Sequence, residues 1–195
     1  MIDIKVDDRA ATALFQRITD KARDPSPFYQ IVGTIVAISV RKNFDEGGRY
    51  AEEGSWRGGS RRWKPLAPQT LLNSLRSKSD HAKGGGLTAS GAQKAANRKP
   101  LNASAQLRDS ITYHADGTGV TIGTNKIYAA THQFGAHGRV IQARNKKCLA
   151  FPYGGKVLLV RRVKVTIPAR PFLVVQDEDL AAIKKEGQHF LTESK

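Results

Sequence analysis

Apolar positions at Ala11, Leu14, Phe15 and Ile18 recur at helical spacing and predict an amphipathic helix from Asp8 to about Arg23. "RDPSPF" breaks that pattern. Within it Ser26 followed by Pro27 reads as a helix start, a capping hydroxyl and then a ring that needs no donor in the first turn. The next stretch carries Phe28, Ile31, Val32, Ile35, Ile38 and Phe44. Its β-branched content favours a strand, but the start signal and a length of about eighteen residues decide for a helix buried on much of its circumference. Glu46-Gly47-Gly48 ends it.

From Gly47 to about Leu101 the apolar pattern lapses into Gly, Ser, Lys and Arg. Such a segment buries too little surface to offset its chain entropy, and it is expected as a partly flexible basic arm with one short helix from about Pro68 to Arg76. Beyond Leu101, "AQLRDSITYHADGTGVTIGTN" predicts a helix end feeding a β-hairpin, Ser110 to His114 and Val120 to Gly123, turned at Asp116-Gly117. "IYAATHQF" is a short helix stopped by Gly135. "KKCLAFPYGGKVLLVRRVKVTI" is a second hairpin with "PYGG" at its tip and Leu159, Arg161, Val163, Val165 and Ile167 on one face of a single return strand. "PARPFL" ends the sheet, since Pro168 and Pro171 cannot donate to a ladder. "QDEDLAAIKKEG" predicts a last helix with acids in its first turn and Lys184 and Lys185 in its last.

These elements make an α+β protein: N-terminal helices packed on an antiparallel sheet of two β-hairpins, a C-terminal helix and a long basic loop or arm. The expected organisation is one domain over residues 1–195, with the arm at 47–101 inside it.

Composition adds one strong signal. The 195 residues carry 32 Lys and Arg against 17 Asp and Glu, a net charge of +15, which draws anionic partners without saying which. The single cysteine, Cys148, rules out an internal disulfide framework and suits a reducing compartment. "MIDIKVDDRA" has no apolar core of a secretory signal, and the most apolar run, "IVGTIVAISV", has ten residues. Neither predicts export or a membrane span.

Candidate chemistry is thin. His132 and His137 are five apart around Gly135, so they share no helical face, and no metal-ligand spacing joins them to Cys148 or His114. "GLTASGAQ" has the glycine spacing of a phosphate loop but lacks the following lysine, so Gly86 to Gln93 is expected as flexible linker. Cys148 lies in a strand-like "CLAFP", and Asp177, Glu178 and Asp179 are explained as helix-start charges. No catalytic, metal-binding or cofactor-binding residue is expected, and the chain is not expected to be an enzyme. Trp56 and Trp63, interleaved with Arg57, Arg61, Arg62 and Lys64, admit two readings. One is an arm that stacks on nucleic acid or meets an acidic partner. The other has Trp63 pinning the arm to the core.

Three separated stretches, "RRWKPLAPQT", "QLRDSI…VTIGTNKIYAATHQFG" and "IPARPFLVVQDEDLAAI", stand in an order that resembles the phage virion morphogenesis family, tail completion proteins of contractile-tailed phages related to Mu and P2. The resemblance runs from Trp63 to Ile183 and departs at the Gly/Lys/Ser-rich insert around Asp80 to Arg98. It implies a non-enzymatic virion protein that completes the tail or joins head to tail at the neck, working as a homo-oligomeric and often six-fold ring. Its implied partners are other copies of itself, tail tube or terminator proteins and head connector proteins, with non-specific DNA contact and no membrane. The implied locations are the virion tail or neck, and the host cytoplasm during assembly. Tyr128, His132, Gln133, Phe134, Arg170 and Phe172 are then the expected assembly interface. The competing reading is a basic nucleic-acid-binding protein serving DNA packaging or passage.

Overall fold

The computed structural model describes residues 8–75, 77–83, 86–144, 146–153 and 156–192. The chain is α+β. Its centre is α2 (Ser26–Glu46), whose inner face buries Val36, Val40, Asn43 and Phe44. Pro25 stands at the N-cap, so the Ser26 hydroxyl does not cap this helix; the Asp24 carboxylate accepts the Ser26 N–H at 3.1 Å in the turn that leads into it. At the other end Gly47, at φ +76°, donates its N–H to Phe44 O, and Gly48 N–H reaches Asn43 O. This is the left-handed stop that only glycine adopts without penalty.

α1 (Arg9–Arg23) precedes it and buries no residue completely. It lies against α7 (Asp177–Thr192), where the Lys21 ammonium sits 5.2 Å over the Phe190 ring. α7 starts with one half of a capping box, Asp179 Oδ2 accepting the Gln176 N–H at 2.8 Å, while the Gln176 side chain donates to Arg49 O at 2.7 Å. It runs five residues beyond the expected stop at Gly187. That glycine is a close-approach position: a Cβ there would touch the Phe28 ring at 3.4 Å, and Phe28 stacks on Phe190 in the following turn. Lys184 and Lys185 therefore lie within the helix, not at its end.

β1 (Thr112–Ala115) and β2 (Val120–Gly123) form the expected hairpin. Asp116 Oδ1 accepts the N–H groups of Thr118 (2.7 Å) and Gly119 (3.1 Å) and closes the turn. The hairpin packs on α2 because Gly33 leaves room for the Tyr113 ring, which a Cβ would meet at 2.2 Å.

The later strands differ from the expected single sheet. β3 (Ala136–Gln142), directly after Gly135, pairs with β6 (Arg162–Ile167). β4 (Leu149–Tyr153) pairs with β5 (Lys156–Val160), as the second hairpin requires. Gly154 and Gly155 of its tip lie outside the described residues. The expected return strand is thus two strands that hinge at Arg161, and the strands form three separate two-stranded sheets. Among the described residues β1–β2 is the strand pair that packs closely on the helical core, against α2.

The basic arm is more ordered than its composition suggests. Tyr50 and Trp63 are core residues, and Tyr50 exchanges backbone hydrogen bonds with Arg61. Gly58 N–H donates to Val175 O at 2.7 Å and Val175 N–H to Trp56 O at 2.9 Å, so the loop runs as a short parallel step beside the C-terminal segment. α3 (Pro68–Ser74) is the expected short helix, and Arg76 at its predicted end lies outside the described residues. The stretch expected as flexible linker contains a second helix, α4 (Ala89–Ala96), capped by the Thr88 hydroxyl on Gly91 N–H at 3.2 Å. Gly91 packs directly on the Asp80 carbonyl, and Lys94 reaches the buried Asp80 carboxylate at 2.6 Å. No helix of the described residues is long and apolar enough to cross a membrane.

Candidate assembly site

The short α5 (Gln106–Asp109) and α6 (Ala129–Phe134) carry Leu107 and Ala129 into the same core as α2. After α6, Gly135 takes φ +75° and ψ 179°, a combination reserved for glycine, and brings the chain against the extended segment 168–175. A Cβ at Gly135 would stand 2.9 Å from Ala169 N and 3.0 Å from Ile167 O.

That close approach sets up a backbone-reading contact. The Gln133 side-chain oxygen accepts the N–H groups of both Phe172 (2.9 Å) and Leu173 (3.0 Å). The Arg170 N–H donates to the His132 carbonyl at 2.7 Å. From its other side the Arg170 guanidinium donates to the carbonyls of Lys64 and Pro65, both at 3.1 Å. Trp63 completes the knot: its indole N–H donates to Pro171 O at 2.8 Å, and its ring meets Phe44 edge-on at 5.4 Å. Asn43 Nδ2 donates to Phe172 O at 2.9 Å. The Trp-Lys-Pro-Leu step, the His-Gln-Phe-Gly turn and the Pro-Ala-Arg-Pro-Phe-Leu segment are therefore one interlocked structure.

This corrects the expected interface. Gln133, Arg170 and Phe172 are buried, at 8%, 6% and 0% exposure, and their polar atoms are committed to backbone groups of the same chain. Buried polar groups need such partners, and here the partners are internal. Within this chain all three pack inward, and Gln133 and Phe172 line the floor of a groove and present no free side chain. Trp63, at 4%, is likewise unavailable to nucleic acid or to an acidic surface. Arg62 and Lys64 are held by Glu46 (3.1 Å) and Glu53 (3.1 Å), so of the four cations interleaved with the tryptophans Arg57 and Arg61 are the two without a carboxylate partner among the described residues. Arg57 lies 5.5 Å over the Trp56 ring.

Tyr128, His132 and Phe134 do reach the surface, but on opposite sides of α6. Tyr128 and His132 meet edge-on at 5.8 Å and line a small cleft with Leu101, Ala103 and Leu107. His132 is half-buried, its Nδ1 has no partner, and burial together with the Arg170 charge holds its pKa below the ordinary histidine range. Phe134, 65% exposed, stands on the other side. With Trp56, Ala130 and Leu173 it walls an apolar groove of about 440 Å³ floored by Phe172. Ile127, at the entry to α6, is fully exposed nearby in sequence. Sequence reasoning left Trp56 undecided and did not join it to Phe134. The link is the backbone pairing of Trp56 with Val175, which periodicity does not reveal.

Among the described residues no group of three or more His, Cys, Asp and Glu side chains is placed to hold a metal ion. His137 lies on exposed β3, away from His132.

The sequence profile of the phage virion morphogenesis family matches residues 6–191. The chain is also similar to the Mu-like prophage FluMu G protein 2 of Haemophilus influenzae, with 25% identity over 191 residues, 97% of this chain and 96% of the relative. No solved structure matches.

Proposed function

The chain belongs to the phage virion morphogenesis family, and from that premise we propose that it completes the tail and joins it to the head at the neck, as a ring of identical subunits and without enzymatic chemistry. The observation that carries the proposal is the apolar groove between Trp56 and Phe134, set on the rigid three-motif knot. A large aromatic left 65% exposed beside a fully buried Phe172 keeps most of its apolar surface out of the monomer's own packing. Exposed aromatics over a fixed floor are what an association surface needs, because little order is lost on docking. A closed ring needs two different patches per subunit, and the groove supplies one.

The test is localisation combined with loss of function. The tagged chain, imaged by electron microscopy on particles from a producing lysate, is expected at the head-proximal end of the tail. Particles free of label, or label at the distal end, would refute the neck position. Replacing Trp56 and Phe134 together by serine is expected to leave unjoined heads and tails.

A further inference from the structure

Residues 136–167 hold eight Lys and Arg and no Asp or Glu. The segment carries +8 of the chain's +15, leaving +7, from 24 Lys and Arg against 17 acids, for the other 163 residues. The fold turns this stretch into a single antiparallel ribbon, β3 with β6 and then β4 with β5, whose strands contact mainly each other. Ala143 N–H donates to Arg161 O at 3.0 Å where the two halves meet. Arg144, Lys146, Lys147, Arg161 and Arg162 cluster at that elbow. All five are exposed, and none forms an ion pair among the described residues. The body is different. There Arg49, Arg62, Lys64, Lys94 and Arg108 each meet a carboxylate.

The outer half of the ribbon is apolar on both faces. Opposed residues of an antiparallel pair share a face. Leu149 opposite Val160 and Phe151 opposite Leu158 make one face, and Ala150 opposite Leu159 belongs to the other, with Val157. Val157, Leu158 and Leu159 are 64%, 47% and 66% exposed. A lone two-stranded hairpin is marginal in water, and its outer edges are unpaired. It needs a cover.

We propose that ribbon 136–167 is a docking arm for a neighbouring protein of the particle, whose surface offers carboxylates around an apolar cleft. The carboxylates meet the basic elbow and the cleft takes the hairpin. Nucleic acid would satisfy the elbow, but phosphates give no apolar cover to two faces of a hairpin. A second copy offers a body that is itself positive, with Asp45, Glu46, Glu53, Asp80 and Glu178 already engaged by its own cations. An acidic protein surface satisfies both halves of the ribbon. The inference rests on the virion-joining role proposed above and names the partner chemistry of a surface that role leaves undefined.

The test uses full-length fluorescent chain sedimented with heads, and separately with tails, purified from a lysate lacking this chain. One variant combines Arg144→Gln, Lys146→Gln, Lys147→Gln, Arg161→Gln and Arg162→Gln. A second combines Val157→Thr, Leu158→Thr and Leu159→Thr, which keeps β-forming side chains. Circular dichroism and urea unfolding report that the body of each variant is folded. The wild type is expected to bind one of the two particles more weakly at about 300 mM salt than at about 50 mM. Both variants should bind on the order of tenfold more weakly, and the charge variant should lose the salt dependence. Equal binding by folded variants and wild type overturns the ribbon's role while leaving the neck reading intact. Loss in the charge variant alone, with matching salt-dependent binding to a short DNA duplex, makes nucleic acid the occupant and overturns the proposal. So does a wild-type oligomer that the threonine variant abolishes, which makes a second copy the occupant. Wild-type chain that binds neither particle overturns the joining role, and the ribbon's partner with it.

Discussion

The side-chain oxygen of Gln133 accepts both the Phe172 and the Leu173 backbone N–H, from positions thirty-nine and forty further along the chain. One amide thereby does what a neighbouring strand would do for a segment that two prolines keep out of any sheet. The contact welds α6 to the segment that also carries Arg170, and through Arg170 to the Trp63 loop.

Gln133→Met keeps the volume and removes the acceptor, leaving two N–H groups short of a partner in a dry site. Stability should fall by about 2–6 kcal/mol, since each unsatisfied buried donor costs about 1–3 kcal/mol. Urea unfolding measures it, and an unchanged midpoint would show that water reaches these groups.

Trp63 separates packing from hydrogen bonding. Trp63→Phe retains an aromatic against Phe44 but deletes the donor to Pro171 O, and should cost about 1–3 kcal/mol. Trp63→Ala should cost about 3–5 kcal/mol by opening a cavity. A phenylalanine variant as unstable as the alanine variant would place the whole effect in ring size.

Gly135→Ala meets two obstacles together: a backbone conformation that costs about 1–3 kcal/mol for other residues, and a Cβ within 3.0 Å of backbone atoms that cannot swing aside. The loss should exceed 2 kcal/mol on the same principle, while Gly119→Ala, with open space around it, should stay within about 0.5 kcal/mol. Thermal unfolding of the pair compares them directly.

His132 predicts a pH dependence with a definite sign. Its folded pKa lies below the ordinary 6.5, first because burial disfavours the imidazolium and second because Arg170 repels it. Below 6.5 the unfolded chain binds the proton that the folded chain refuses, so stability is fully present above that value and is lost as pH falls through 6.5 toward the folded pKa. His132→Asn should flatten the stability slope between about pH 7.5 and pH 5. An unaltered slope would assign it to other groups.

Phe134→Ser tests assembly apart from folding. At an exposed position it should shift monomer stability by no more than about 0.5 kcal/mol. If the proposed ring forms, light scattering should nevertheless show an oligomer for the wild type and its loss in this variant. A variant that oligomerises normally would remove Phe134 from the subunit contact.

By itself the sequence determined the local elements wherever one signal dominated. The Gly47 stop of α2, the Asp116 turn and the Gly135 end of α6 rest on backbone conformations or on contacts within a few residues. The three motifs that betray the family were also legible, and so was the location of the charge surplus. Only the tertiary structure decided what those motifs do. Arg170 between two prolines resembles a presented side chain until Lys64 and Pro65 are seen to receive it, more than a hundred residues away. Burial is a property of long-range contacts, and periodicity along one segment cannot report what another segment covers. The same reason hid α4, whose Gly91 has value only against the Asp80 carbonyl, and the hinge at Arg161, where an unbroken β-pattern divides between two partners. Gln133, Arg170 and Phe172, expected in the docking surface, proved to be the lock, while Tyr128 and Phe134 stay exposed. The surface left exposed was formed by residues that only the fold brings together.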